Sequence, residues 1–86
     1  MTKLLLTARE REIFELLVKN NDTNQIAEKL IISEKTVRNH ISNVICKLGV
    51  SSRTQAIIVL VKNGMIKILK REAKASLLVL LTINIL

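Results

Sequence analysis

The 86-residue chain has no proline, two glycines and one aromatic residue, Phe14, so it makes one small domain in which helices are favoured over a sandwich or barrel. Fourteen Lys/Arg against seven Asp/Glu give a formal charge of +7, which points to an anionic partner, nucleic acid ahead of a membrane surface. With only Cys46 and His40 of their kinds, an internal disulfide and a zinc ligand set are excluded, and no nucleophile–base pair suggests an enzyme.

The chain opens Met1-Thr2-Lys3 and then Leu4-Leu5-Leu6, too short an apolar run for a signal peptide, so a cytoplasmic, nucleoid-associated location is expected. Neither a receiver domain ahead of Thr7 nor a phosphoacceptor is expected. The first helix is predicted over 7–19. Thr7 with Glu10 three positions on makes a capping box, Ile13, Leu16 and Leu17 share one face with Phe14 on its flank, and Arg11 can pair with Glu15. Asn20-Asn21-Asp22 ends it, because these side chains compete for backbone hydrogen bonds.

A short second helix follows over 24–30, capped by Thr23, with Ile26, Ala27 and Leu30 as its apolar stripe. Ala27 is small where another helix has to approach closely. Ile31-Ile32-Ser33 then interrupts.

The third helix is predicted over 34–48, with Ser33 as N-cap, Glu34 at its positive end and Gly49 as its stop. Val37, Ile41, Val44, Ile45 and Leu48 fall on one continuous face. The other faces carry Lys35, Thr36, Arg38, Asn39, His40, Ser42, Asn43, Cys46 and Lys47, with Glu34 as the helix's one carboxylate. A helix that merely covers a core usually mixes both signs.

A fourth helix is predicted over 53–63, opened by a Ser52–Gln55 capping box and followed by Gly64. Ala56 through Val61 are all apolar, so one side is expected to remain free for a partner, with Ile57, Ile58, Leu60 and Val61 as a dimer seam. Glu10 and Arg53 are candidates for a salt bridge tying the first helix to the fourth.

Two helices of unequal length joined by a three-residue break, the second capped by serine and polar outside, form a helix-turn-helix pattern, here without the usual glycine in the turn. In that geometry the second helix enters a major groove about 12 Å wide. Lys35, Arg38, Asn39 and Ser42 lie opposite the apolar face, where Arg can bond guanine and Asn adenine bidentately. Lys29, Ser33, Thr36, His40, Asn43, Lys47 and Arg53 flank them and suit phosphate contacts, which position without reading sequence. For His40 this outweighs a role as catalytic base.

The spacing of Leu6-Thr7-x-Arg9-Glu10-x-Glu12-Ile13, Ile26-Ala27 with Leu30, Ile32-Ser33-x-x-Thr36-Val37-x-x-His40-Ile41-x-Asn43, Lys47-Leu48-x-Val50 and Arg53-x-x-Ala56 resembles the LuxR/GerE-type helix-turn-helix family. Within that family, Ser33–Asn43 is most similar to stand-alone spore regulators, and next to the output domains of NarL-type response regulators. The resemblance covers about residues 4–68. It implies an all-α, four-helix DNA-binding domain and a sequence-specific transcriptional regulator acting as a dimer on double-stranded DNA. It also implies base-reading positions at Arg38, Asn39 and Ser42 and phosphate positions at Thr36, His40 and Lys47; no cofactor is expected and no small-molecule ligand is evident in the sequence.

Residues 69–86 have no counterpart in that pattern, and the run from Leu77 to Leu86 is aliphatic and uncharged. It is about half of the roughly 20 apolar residues that span a bilayer as a helix. Four readings stand for it: an extension of the dimer helix, a pairing strand, a membrane or protein contact, and the product of a shifted reading frame. The rival to DNA-based regulation is a protein-interaction or RNA-polymerase-associated helix-turn-helix module that uses the fourth helix and this tail.

Overall fold

The structure, a computed structural model, describes residues 6–66. Four helices run in chain order: α1 (Ala8–Val18), α2 (Thr23–Leu30), α3 (Glu34–Leu48) and α4 (Arg53–Lys62). The expected tail over 69–86, and the domain boundary at 68, lie outside the described residues.

Each helix starts on a side-chain cap that satisfies otherwise orphaned N–H groups. Thr7 opens α1 as anticipated: its hydroxyl accepts from the Glu10 N–H at 3.1 Å while the Glu10 carboxylate accepts from the Thr7 N–H at 2.9 Å. For α2 the cap is Asp22 and not Thr23. The Asp22 carboxylate accepts from the Gln25 N–H at 2.8 Å, and the Gln25 side-chain carbonyl accepts from the Asp22 N–H at 2.9 Å. That exchange draws Thr23 into the first helical turn and frees its hydroxyl for another partner. Ser33 caps α3 through the Thr36 N–H at 3.0 Å. Ser52 caps α4 through the Gln55 N–H at 3.2 Å, but the expected box is only half formed. The Gln55 carbonyl turns instead to the N–H and hydroxyl of Ser51, at 2.9 and 2.8 Å.

All four helices end in the same way. A residue with positive φ donates its N–H back three residues, and the next residue donates back five, which satisfies the last carbonyls. Asn20 and Asn21 do this for α1, Gly49 and Val50 for α3, and Gly64 and Met65 for α4. For α2 the left-handed residue is Ile31, at φ 57°, with its N–H directed to the Glu28 carbonyl and that of Ile32 to the Ala27 carbonyl. A β-branched side chain is disfavoured there by roughly 1–2 kcal/mol. The missing glycine of the turn therefore leaves the turn's shape intact and adds strain to it.

α3 is the hub: it packs on α2, α1 and α4 in turn, and the chain bends by 62° between α3 and α4. Ile13, Phe14, Ile26, Val37, Val44 and Leu60 are fully buried at the centre, each burial worth about 1.5–3 kcal/mol. Ile41 completes the anticipated face of α3, with Ile45 and Leu48 packed at its edge. Arg11 reaches the Met65 carbonyl at 3.4 Å and so ties α1 to the segment after α4. Its expected partner Glu15 gives way to that contact, and the surface ion pair of α1 is Arg9–Glu12 at 3.6 Å.

Candidate nucleic-acid interface

Burial of Val37, Ile41 and Val44 fixes which way α3 is rotated. At 3.6 residues per turn, the opposite side must then carry Lys35, Asn39 and Ser42, and all three are exposed. Arg38 stands at one margin of this stripe, its side chain 56% exposed, with Nη1 3.7 Å from Glu34 Oε1. The same carboxylate oxygen accepts from the Thr23 hydroxyl of α2 at 3.2 Å. Thus all four residues expected at base edges lie on the outward side of one helix, beginning at its positive N-terminal end.

The residues expected at phosphates divide into groups. Lys29 near the end of α2, Ser33, Asn43 and Arg53 at the start of α4 are exposed. Thr36 and His40 are half-buried on the other margin of α3, and the Thr36 hydroxyl lies 2.9 Å from that of Ser33 within the cap. Lys47 falls on that same margin, where it also meets α1. Its Nζ donates to Glu10 Oε1 at 2.7 Å. The Glu10 side chain is only 4% exposed, the one buried charged group among the described residues.

Burial alone would raise the Glu10 pKa. The Lys47 hydrogen bond, the Thr7 N–H and the Lys47 charge together outweigh it and hold the carboxyl below its ordinary value. Glu10 therefore pins α1 to α3, and the proposed Glu10–Arg53 bridge to α4 is not what forms. Its place three residues beyond buried Val44 signalled that Lys47 skirts the core, but not which residue it meets. Thr23–Glu34 had no such signal, because it depended on Asp22 taking the cap.

Along α4, Ile57 and Leu60 belong to the domain's own core, Ile58 is buried too, and Val61 is half-buried. Of the four seam candidates, Ile57 and Leu60 are thus already committed within the chain. Cys46 is exposed. Among the described residues no three His, Cys, Asp or Glu side chains are grouped to hold a metal, and no single helix is long and apolar enough to cross a membrane.

Four helices, with a short helix and a longer, serine-capped, polar-faced one joined by a tight turn, make a helix-turn-helix DNA-binding domain. The chain belongs to the luxR family of bacterial regulatory proteins, which it matches over residues 4–60. It is 60% identical over 63 residues to the spore germination protein GerE of Bacillus subtilis (strain 168), covering 73% of this chain and 85% of that protein. It is 45% identical over 64 residues to the transcriptional regulatory protein DegU of Brevibacillus brevis, covering 74% of this chain but 27% of that longer protein. The solved structure of the transcription factor GerE superposes with a TM-score of 0.71 at 59% identity, over 77% of this chain and 97% of that one. The chain is accordingly a GerE-like DNA-binding domain of a transcription regulator, and the relatives it matches are regulators and not enzymes.

Proposed function

We propose that the protein is a sequence-specific transcriptional regulator that binds DNA as a dimer, with α3 inserted in the major groove. Lys35, Arg38, Asn39 and Ser42 read base edges. Lys29, Ser33, Thr36, His40, Asn43, Lys47 and Arg53 hold the phosphates, and Lys47 also bonds Glu10. A two-fold seam runs along α4, the helix that carries Ile57, Ile58, Leu60 and Val61; Ile57 and Leu60 also belong to the domain's own core.

The observation that carries this reading is the division of α3. Every strongly apolar residue of the helix faces the core, and what faces outward is a stripe of amide, hydroxyl and basic groups that starts at the helix's positive end. Such a stripe can offer bidentate hydrogen bonds to guanine and adenine while the helix end favours a nearby phosphate.

Selection of bound sequences from random duplex DNA tests the proposal. It should enrich two related half-sites centred about one helical turn, roughly 10 base pairs, apart. Enrichment of no sequence even at low salt would contradict it.

A further inference from the structure

We propose that Glu34 is a positioning residue for Arg38, and that Thr23 holds Glu34 in place from α2. This deepens the groove reading of α3 and rests on it. The three side chains meet at one atom: Glu34 Oε1 accepts the Thr23 hydroxyl at 3.2 Å and lies 3.7 Å from Arg38 Nη1. Thr23 opens α2 and Glu34 opens α3, so the chain of contacts crosses the helix-turn-helix unit and ends on a base-reading candidate.

Stability does not explain the arrangement. Glu34 and Arg38 have side chains 43% and 56% exposed, and a pair that open to water adds little to folding. Glu34 is also the one carboxylate of α3, placed where DNA would bring phosphates and so repelled by them. What the carboxylate does supply is direction. A free arginine on this margin can swing to a phosphate, a contact that carries no sequence information. Held by Glu34, the guanidinium stays at the N-terminal margin of the stripe. Leaving for the backbone would strand a carboxylate without its cation beside phosphates, a repulsive element that penalises non-cognate binding. Thr23 keeps that carboxylate from turning away to solvent. The price of the device is weaker binding to DNA in general, and its return is discrimination.

The test uses the duplex recovered by selection, with each base pair varied in turn, and the variants Arg38→Ala, Glu34→Gln and their combination. Glutamine keeps the shape and an acceptor for Thr23 but removes the charge. Glu34→Gln is expected to bind arbitrary duplex several-fold more tightly and to lose about tenfold of its preference at the base pair that Arg38→Ala identifies, equivalent to about 1.4 kcal/mol. In the Arg38→Ala background the same substitution should remove no further preference there. Thr23→Ser should keep the preference and Thr23→Val should lose part of it, whereas a purely structural role would move thermal stability and leave the base profile alone. Full preference in Glu34→Gln, or an equal loss with and without Arg38, overturns the positioning role. A normal base profile in Arg38→Ala overturns the groove reading itself.

Discussion

At its N-terminal end α3 follows a turn whose left-handed residue, Ile31, is 90% exposed and strained, and it presents exposed Lys35, Asn39 and Ser42 to solvent. At its C-terminal end the same helix is fastened. Lys47 is bonded to buried Glu10, the relaxed left-handed residue is Gly49 at φ 68°, and Val50 closes the last turn onto the Ile45 carbonyl. One helix thus has an anchored half and a presenting half. The contrast explains why a two-turn α2 and an eleven-residue α1 suffice as scaffold: they need only hold the far end of α3 and brace the near one. It also separates stability from recognition along a single element, so substitutions at the two ends should have different signatures.

The largest effect is expected at the anchored end. Lys47→Met leaves the Glu10 carboxylate buried without its ammonium and should cost about 2 kcal/mol or more of folding stability, read by urea unfolding at neutral pH. The pH dependence follows from the sign of the Glu10 shift. Its folded-state value lies below the ordinary 4.5, so its stabilisation is present above that pH and lost as pH falls through the folded value. Without Lys47, burial dominates and raises the value, so the variant's deficit should shrink as the solution is acidified. A deficit that stays constant from pH 7 to acid would deny Glu10 this role.

Gly49→Ala comes next. No atom lies within 4 Å of the added methyl, so the loss is conformational alone, about 1 kcal/mol, and the base profile should not change. Ile31→Gly is the smallest and runs the other way. Relief of left-handed strain exceeds the added chain entropy of glycine by about 0.5 kcal/mol, and an isoleucine this exposed has almost no burial to lose. A lower melting temperature in Ile31→Gly would mean that the side chain makes a contact that offsets its strain.

Much of this contrast was legible in the amino-acid pattern. Apolar spacing alone placed the buried face of α3 on Val37, Ile41 and Val44, and with it the outward residues, because a helix whose core side is known has no freedom left in the other. Capping chemistry found Thr7, Ser33 and Ser52. It failed at Asp22, where two adjacent residues are both competent caps and the reciprocal bond with Gln25 decided between them. Side-chain partners over long sequence separations were not legible. Glu10 meets Lys47 and not Arg53 because of how α1 crosses α3, and crossing geometry is a property of the packed core. The share of α4 that the domain itself consumes was not legible for a related reason: a run of six apolar residues shows that a helix is buried, not which core takes it.

The base-preference profile and the melting temperature of Arg38→Ala, measured together against the unaltered protein, test the division of α3 most directly. Preference should disappear at one base pair of each half-site, by about 1–3 kcal/mol, with the melting temperature unchanged. An unaltered profile, or a uniform loss of affinity accompanied by a lower melting temperature, would contradict it.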